Sequence, residues 1–217
     1  CGGTSYTALL AIAGYNALTI PLISLILNLI VTSVGSYNFI RFRHASFRLV
    51  VPFLVTSIPM AYVGGSLELP KEFFYWLLLV ALLFVAARIY FWKEVVFRIG
   101  GGKYTRVLVS LVSGSVLGLL AGITGIGGGI FLVPIIIMLN LGTVKEAAAC
   151  GAICIWMNSL AGLVARLQYN SIDILNHVPL IVAVFLGGAL GSLMGSSILS
   201  RDAMEKILGL IIIVAIV

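Results

Sequence analysis

"GITGIGGGIFLVP", residues 122–134, places five glycines and a proline inside an otherwise apolar run. Glycine weakens a helix and proline removes a backbone donor, so a hydrophobic segment is interrupted here at one point. Twelve apolar-rich residues, 130–141, follow the glycines. That is too short for a full crossing of a bilayer, which takes about 20 helical residues.

Composition decides what kind of solvent surrounds this segment. The chain has 217 residues, 61% of them hydrophobic and 9% charged, with a mean hydropathy of +1.20. A soluble domain carries about 25% charged residues, so there is too little polar side chain here to cover a water-exposed surface. A polytopic membrane protein is the expectation. Runs 17–37, 49–67, 73–92, 107–126, 147–165 and 178–199 are each long enough to cross, and 204–217 begins another. The opening segment to about Gly14 and the segment 130–141 read as half-helices or re-entrant pieces.

The net charge of +6 would suggest nucleic acid in a soluble protein. Here the basic residues sit between apolar runs: Arg41, Arg43 and Arg48 in one loop, and Arg88 to Arg106 in another. Two spans separate these loops, so both fall on one side, which the positive-inside rule makes cytoplasmic. The connector "LELPKE", 67–72, with Glu68 and Glu72, then faces outward. Trp76, Tyr90 and Trp92 near span ends fit an aromatic belt, and His44 and His177 flank loops.

A shift of 125 residues lays "CGGTSYTAL" on "IGGGIFLVP", Gly2 and Gly3 on Gly127 and Gly128, and Arg41 on Arg166. The ordered agreement of glycines, loops and spans predicts two internal repeats, a pattern of secondary transporters. The expected division is a first repeat over 1–92, a cytoplasmic linker over 93–106 and a second repeat over 107–217. The strongly basic Arg41 loop against the balanced Arg166 loop favours inverted repeats. The chain opens with Cys1 and closes inside "ILGLIIIVAIV", so a piece of a longer protein is expected, with the first repeat truncated.

The glycine cluster has three readings. A dinucleotide loop needs G-x-G-x-x-G after a strand, and here Ile130 takes the last glycine's place between membrane-like flanks. Helix packing accounts for Gly114, Gly118 and Gly122, and for Gly187, Gly191 and Gly195, each set spaced by four. It does not account for Gly127, Gly128 and Gly129, which are consecutive and share no face. These three read as a deliberate break: a helix ending near Gly125, a turn over the three glycines, and a half-helix from about Ile130 whose amino end meets an anion. On this reading Pro134 lies in the first turns of the half-helix, where a missing N–H matters least.

Polar residues within the spans are neutral: Ser24, Asn28, Ser33, Asn158 and Ser159. The seven carboxylates lie in loops or at span ends, away from where cation carriers place theirs. Hydroxyl and amide donors beside glycine N–H groups suit an anion. Asn28 and Asn158 either line a path or make interhelical hydrogen bonds. Arg41 and Arg166 either snorkel and set topology or form an anion funnel. Cys150 and Cys154 share a helix face without His or carboxylate neighbours and read as packing residues, so no metal is expected. An enzyme would need a nucleophile–base pair or a metal cluster, which these residues do not offer.

"GLLAGITGIGGGIFLVPIIIMLNLG", 118–142, resembles the signature of the TauE/SafE family of sulfite and organosulfonate exporters. The alanine-rich stretch 146–173 and the glycine-rich span 178–198 resemble its accompanying segments. In the first half, Thr4, Ser5 and Leu9 stand where the pattern has glycine, an apolar residue and proline. The resemblance implies a multi-pass permease of the cell membrane, an all-α helical bundle without cofactor, that moves a small sulfur-containing anion. Transport-path residues would be Gly2, Gly3, Ser24, Asn28, Gly127, Gly128, Gly129, Asn158 and Ser159. The competing expectation is a cation- or proton-coupled carrier of another small solute. The lipid bilayer and the anion are the expected partners, with no nucleic acid, and assembly into a homo-oligomer is left open.

Overall fold

A computed structural model describes residues 3–15, 19–41, 46–67, 69–91, 103–139 and 141–169, with 179, 181–183 and 185–187. Expectations for Gly2, His44, Glu68, the 93–102 part of the linker, His177, Gly191, Gly195 and the span 204–217 lie outside these residues, as does most of 178–199. The described chain is all-helical: α1 Gly3–Ile12, α2 Thr19–Arg41, α3 Phe47–Ser66, α4 Lys71–Phe91, α5 Lys103–Thr124, α6 Gly129–Met138 and α7 Val144–Leu167. Among the described residues, four helices are long and apolar enough to cross a membrane, over 19–37, 47–66, 104–124 and 145–167.

Two of the elements are short for a reason already visible in the sequence. α1 and α6 have 10 residues each, about 15 Å of helix and half the hydrocarbon thickness of a bilayer. α6 packs on α7, and α1 packs on α2. α7 begins with a capping box. The Thr143 amide donates to Glu146 Oε2 at 2.8 Å, and the Glu146 amide donates to Thr143 Oγ1 at 3.3 Å. These bonds satisfy two amides that no helical carbonyl can reach.

α3, α5 and α7 form the centre, with α2 against α7. In lipid there is little hydrophobic drive between helices, so close backbone approach and hydrogen bonds hold them together. The expected stripe supplies that approach. A side chain at Gly118 would run into the Ser57 backbone, and one at Gly122 into Ala61 O and the Gly65 amide. α3 answers with Gly64, backed by Leu119 O, and Gly65, whose added Cβ would lie 2.7 Å from Gly162 O on α7. Across the same α3–α5 contact, Thr56 Oγ1 donates to Leu111 O at 2.8 Å. Phe53, Leu117, Leu132, Ile136, Cys150 and Cys154 belong to the buried core beside this contact. Val51, Val55, Leu108, Val112, Val116 and Val164 are exposed along the helices, as expected of faces turned to lipid.

Candidate functional site: a broken helix

The glycine cluster breaks the helix. α5 ends at Thr124 and α6 starts at Gly129, with Gly128 as its N-cap residue. The break is shifted from the expected one. Gly125, Gly127 and Gly128 hold the left-handed φ values of +74°, +82° and +75°, whereas Gly129 is already helical. The reason lies in the hydrogen bonds: the amides of Phe131 and Leu132 both donate to Gly128 O at 3.2 Å, which draws Gly129 into the first turn. Side-chain-bearing residues at three such φ values would each be strained. Pro134 is the sixth residue of α6, in its second turn as expected, but past the amides that lack a helical acceptor anyway. Its missing N–H therefore leaves the Ile130 carbonyl without a helical donor.

Every residue from Ala121 to Gly129 is buried. Thr124 helps turn the chain, donating from Oγ1 to Leu120 O at 2.7 Å and accepting the Ile126 amide at 3.3 Å. An added Cβ at Gly125 would lie 2.7 Å from Pro21 Cα, so the break presses on the start of α2. No side chain caps the amino end of α6. The N–H groups of Gly129 and Ile130 have no acceptor inside the helix, and the positive end of its dipole points into the break.

Polar side chains from three other helices converge here. Asn28 on α2 is 2% exposed and donates from Nδ2 to Gly125 O at 2.9 Å. This is an interhelical bond, and it is made to the break itself. An added Cβ at Gly127 would sit 3.1 Å from the same nitrogen. On the other side, a crevice of about 10 Å³ is lined by Phe53, Ser57, Leu117, Gly128, Cys154 and Asn158 among others. That is close to the least space a single water needs. Asn158 is 2% exposed, and its Oδ1 finds no hydrogen-bond partner among the described residues; the same holds for Ser57 Oγ. Buried polar atoms are rarely left unpaired, so each of these calls for a water, a ligand or local strain to account for it.

The other expected path residues separate. Ser159 is fully buried beside Asn158, with its Oγ unpartnered among the described residues. Ser24 accepts from Thr7 Oγ1 at 3.4 Å and joins α1 to α2. Gly3 opens α1. Ser33 is exposed and accepts from Trp156 Nε1 at 2.8 Å. Arg41 ends α2 and is exposed. Arg166, by contrast, is 5% exposed and bonded to α5: its guanidinium donates to Gly122 O at 3.0 Å and to Ile123 O at 2.8 Å. Cys150 and Cys154 are buried, 4.0 Å apart at sulfur. Sequence reasoning passed over Ser57. Its one signal was a hydroxyl in the apolar run "LVTSIPM", 54–60, which gives no indication that it faces Gly128.

The family model described as Sulfite exporter TauE/SafE matches residues 1–217. The chain is 34% identical over 219 aligned positions to the "Probable membrane transporter protein y4hK" of Sinorhizobium fredii (strain NBRC 101917 / NGR234), covering 99% of this chain and 87% of that one. It is 32% identical over 95 positions to the "Probable membrane transporter protein YunE" of Bacillus subtilis (strain 168), covering 42% of this chain and 35% of that one. No solved structure matches it.

Proposed function

The chain belongs to the sulfite exporter TauE/SafE family and is a multi-pass membrane transporter, and from that premise we propose that it moves a small sulfur-containing anion, such as sulfite or a sulfonate, bound at the amino end of α6. The observation that carries this reading is the buried, uncapped start of α6. It opens, at Gly128, on a crevice that also holds the unpartnered Ser57 Oγ and Asn158 Oδ1. Backbone N–H groups, a hydroxyl and an amide can all donate to an oxyanion, once rotation about χ2 turns Asn158 Nδ2 inward. A site made of neutral donors also releases its anion readily. Among the described residues, the buried polar side chains include no carboxylate, which weighs against a cation site at this depth.

The crevice is too small for a sulfur oxyanion, so on this reading the described conformation is closed and the helices around Gly128 part to admit substrate. We extend the proposal to the repeats. α1 and α2, of 10 and 23 residues, are the counterparts of α6 and α7, of 10 and 24. Thr19 and Val144, which open α2 and α7, lie 125 positions apart, the same shift that aligns the glycines. The halves, 1–92 and 107–217, are inverted and joined by 93–106.

The test is flux in proteoliposomes containing the full-length protein. Labelled sulfite should cross, and excess unlabelled sulfite or methanesulfonate should compete. Flux of a cation or of protons, with no flux of any sulfur oxyanion, would overturn the reading.

A further inference from the structure

We infer that Arg166 is a positioning residue that sets the charge preference of the break by cancelling the carboxyl end of α5. The inference rests on the anion reading above. A broken helix creates an electrostatic conflict. The negative end of α5 and the positive end of α6 lie within four residues of each other, from Gly125 to Gly128. Each end carries roughly half an elementary charge, so a ligand between two uncompensated ends meets opposed dipoles.

The hydrogen bonds resolve the conflict in one direction. The last four carbonyls of a helix lack intrahelical donors, and here those of Ala121, Gly122 and Ile123, with Gly125 O just beyond the helix, have donors. Ala121 O accepts the Gly125 amide at 3.0 Å. Gly122 O and Ile123 O accept from the Arg166 guanidinium, with Nε also within 3.3 Å of Gly122 O. Gly125 O accepts from Asn28. On α6 the reverse holds: its N-cap is a glycine with no side-chain bond, and its first amides are left without helical acceptors.

The carboxyl end is thus covered by a cation and an amide, while the amino end stays open. Arg166 sits at 5% exposure, with its guanidinium directly on the last turn of α5. The knot of Gly65, Gly122 and Gly162 brings α7 close enough for the side chain to reach. An added Cβ at Gly162 would lie 3.4 Å from Gly122 Cα.

The experiment compares full-length wild type, Arg166→Gln and Arg166→Lys in proteoliposomes, at alkaline pH where sulfite is doubly charged. Methanesulfonate serves as the singly charged probe. Gln keeps amide donors and loses the charge; Lys keeps the charge and loses the planar fork. Arg166→Gln should raise KM for sulfite about tenfold, the size expected of one charge at a partly buried helix end. It should raise KM for methanesulfonate less and change kcat little. Arg166→Lys should stay within about twofold of wild type. Equal impairment of both variants, or an unchanged sulfite KM in Arg166→Gln, would overturn the inference and identify a plain structural cap. If Arg166→Gln is not recovered folded, the Lys variant decides: a KM near wild type supports the role of charge, and a raised one overturns it. Wild type that carries no oxyanion would instead overturn the anion reading itself.

Discussion

Asn28 Nδ2 lies 2.9 Å from the carbonyl oxygen of Gly125, a residue 97 positions further along the chain. The bond ties α2 to the point where α5 stops being helical. Gly125 has a left-handed φ and no room for a side chain against Pro21, so its carbonyl direction is fixed by the turn. Asn28→Leu removes the only donor described for that carbonyl and leaves a buried acceptor unpaired, which costs about 1–3 kcal/mol. The variant should lose most transport and melt several degrees lower in detergent. Full transport would show that the bond is dispensable.

Gly128 tests the break directly. Its added Cβ would sit 3.2 Å from Leu117 O and 3.4 Å from Ala121 Cβ, so Ala meets tight contact but no severe overlap, while its φ of +75° strains any side chain. Left-handed backbone costs roughly 1–2 kcal/mol per residue. Gly128→Ala should therefore retain partial flux. Gly128→Val should abolish flux while the protein stays in the membrane, because its methyls fill the approach to the α6 amides. Normal sulfite flux in the Val variant would remove the site from this position.

The central glycines make a contrasting pair of expectations. An Ala at Gly118 overlaps the backbone of Ser57, whereas nothing lies within 4 Å of an added Cβ at Gly35. Overpacking costs about 1–3 kcal/mol, so Gly118→Ala should lower the melting temperature measured by fluorescence-detected gel filtration. Gly35→Ala should leave it unchanged or raise it, since Ala also favours the helix. Equal melting temperatures would mean that α3 and α5 separate easily.

Asn158 distinguishes path from packing. Its Oδ1 makes no bond in the described structure, so replacing it with Leu should not destabilise the bundle. Asn158→Leu should reach the membrane in normal amount and transport at least tenfold more slowly, about 1.4 kcal/mol in transition-state terms. Disappearance of the protein on immunoblots would identify Asn158 as a packing residue.

Topology is checked by labelling introduced cysteines in intact cells. α3 runs from Phe47 to Ser66, about 30 Å, and so separates Arg48 from the acidic connector. An impermeant reagent added outside should modify position 68 and spare position 103. Labelling at 103 would reverse the orientation.

Much of the fold was legible because apolar runs report length directly. The run 17–37 became α2 and 49–67 became α3, with ends shifted by a few residues. The stripe of Gly114, Gly118 and Gly122 announced a close helix contact, since small residues at that spacing share one face. Which helix fills the contact was not legible. Periodicity fixes a face on its own helix and says nothing about its neighbour, so Ser57 went unnoticed and the attachment of Arg166 to α5, 44 residues earlier, was not foreseen. The break was found within one residue but misassigned inside. A row of glycines shows that the backbone has freedom, and only the bonds to Gly128 O decide where helix resumes.

The brevity of α6 has an electrical consequence. Its ten residues reach about 15 Å, half the hydrocarbon layer, so on the proposed reading a charge held at Gly129 lies within the membrane field. Membrane voltage acts on every charge that crosses it, at roughly 2.3 kcal/mol per elementary charge per 100 mV. Each negative charge that crosses from one face to the other by way of the α6 amino end traverses the whole of that field. An inside-negative voltage would then favour outward movement of such a substrate, and any net charge moved with it would register as current.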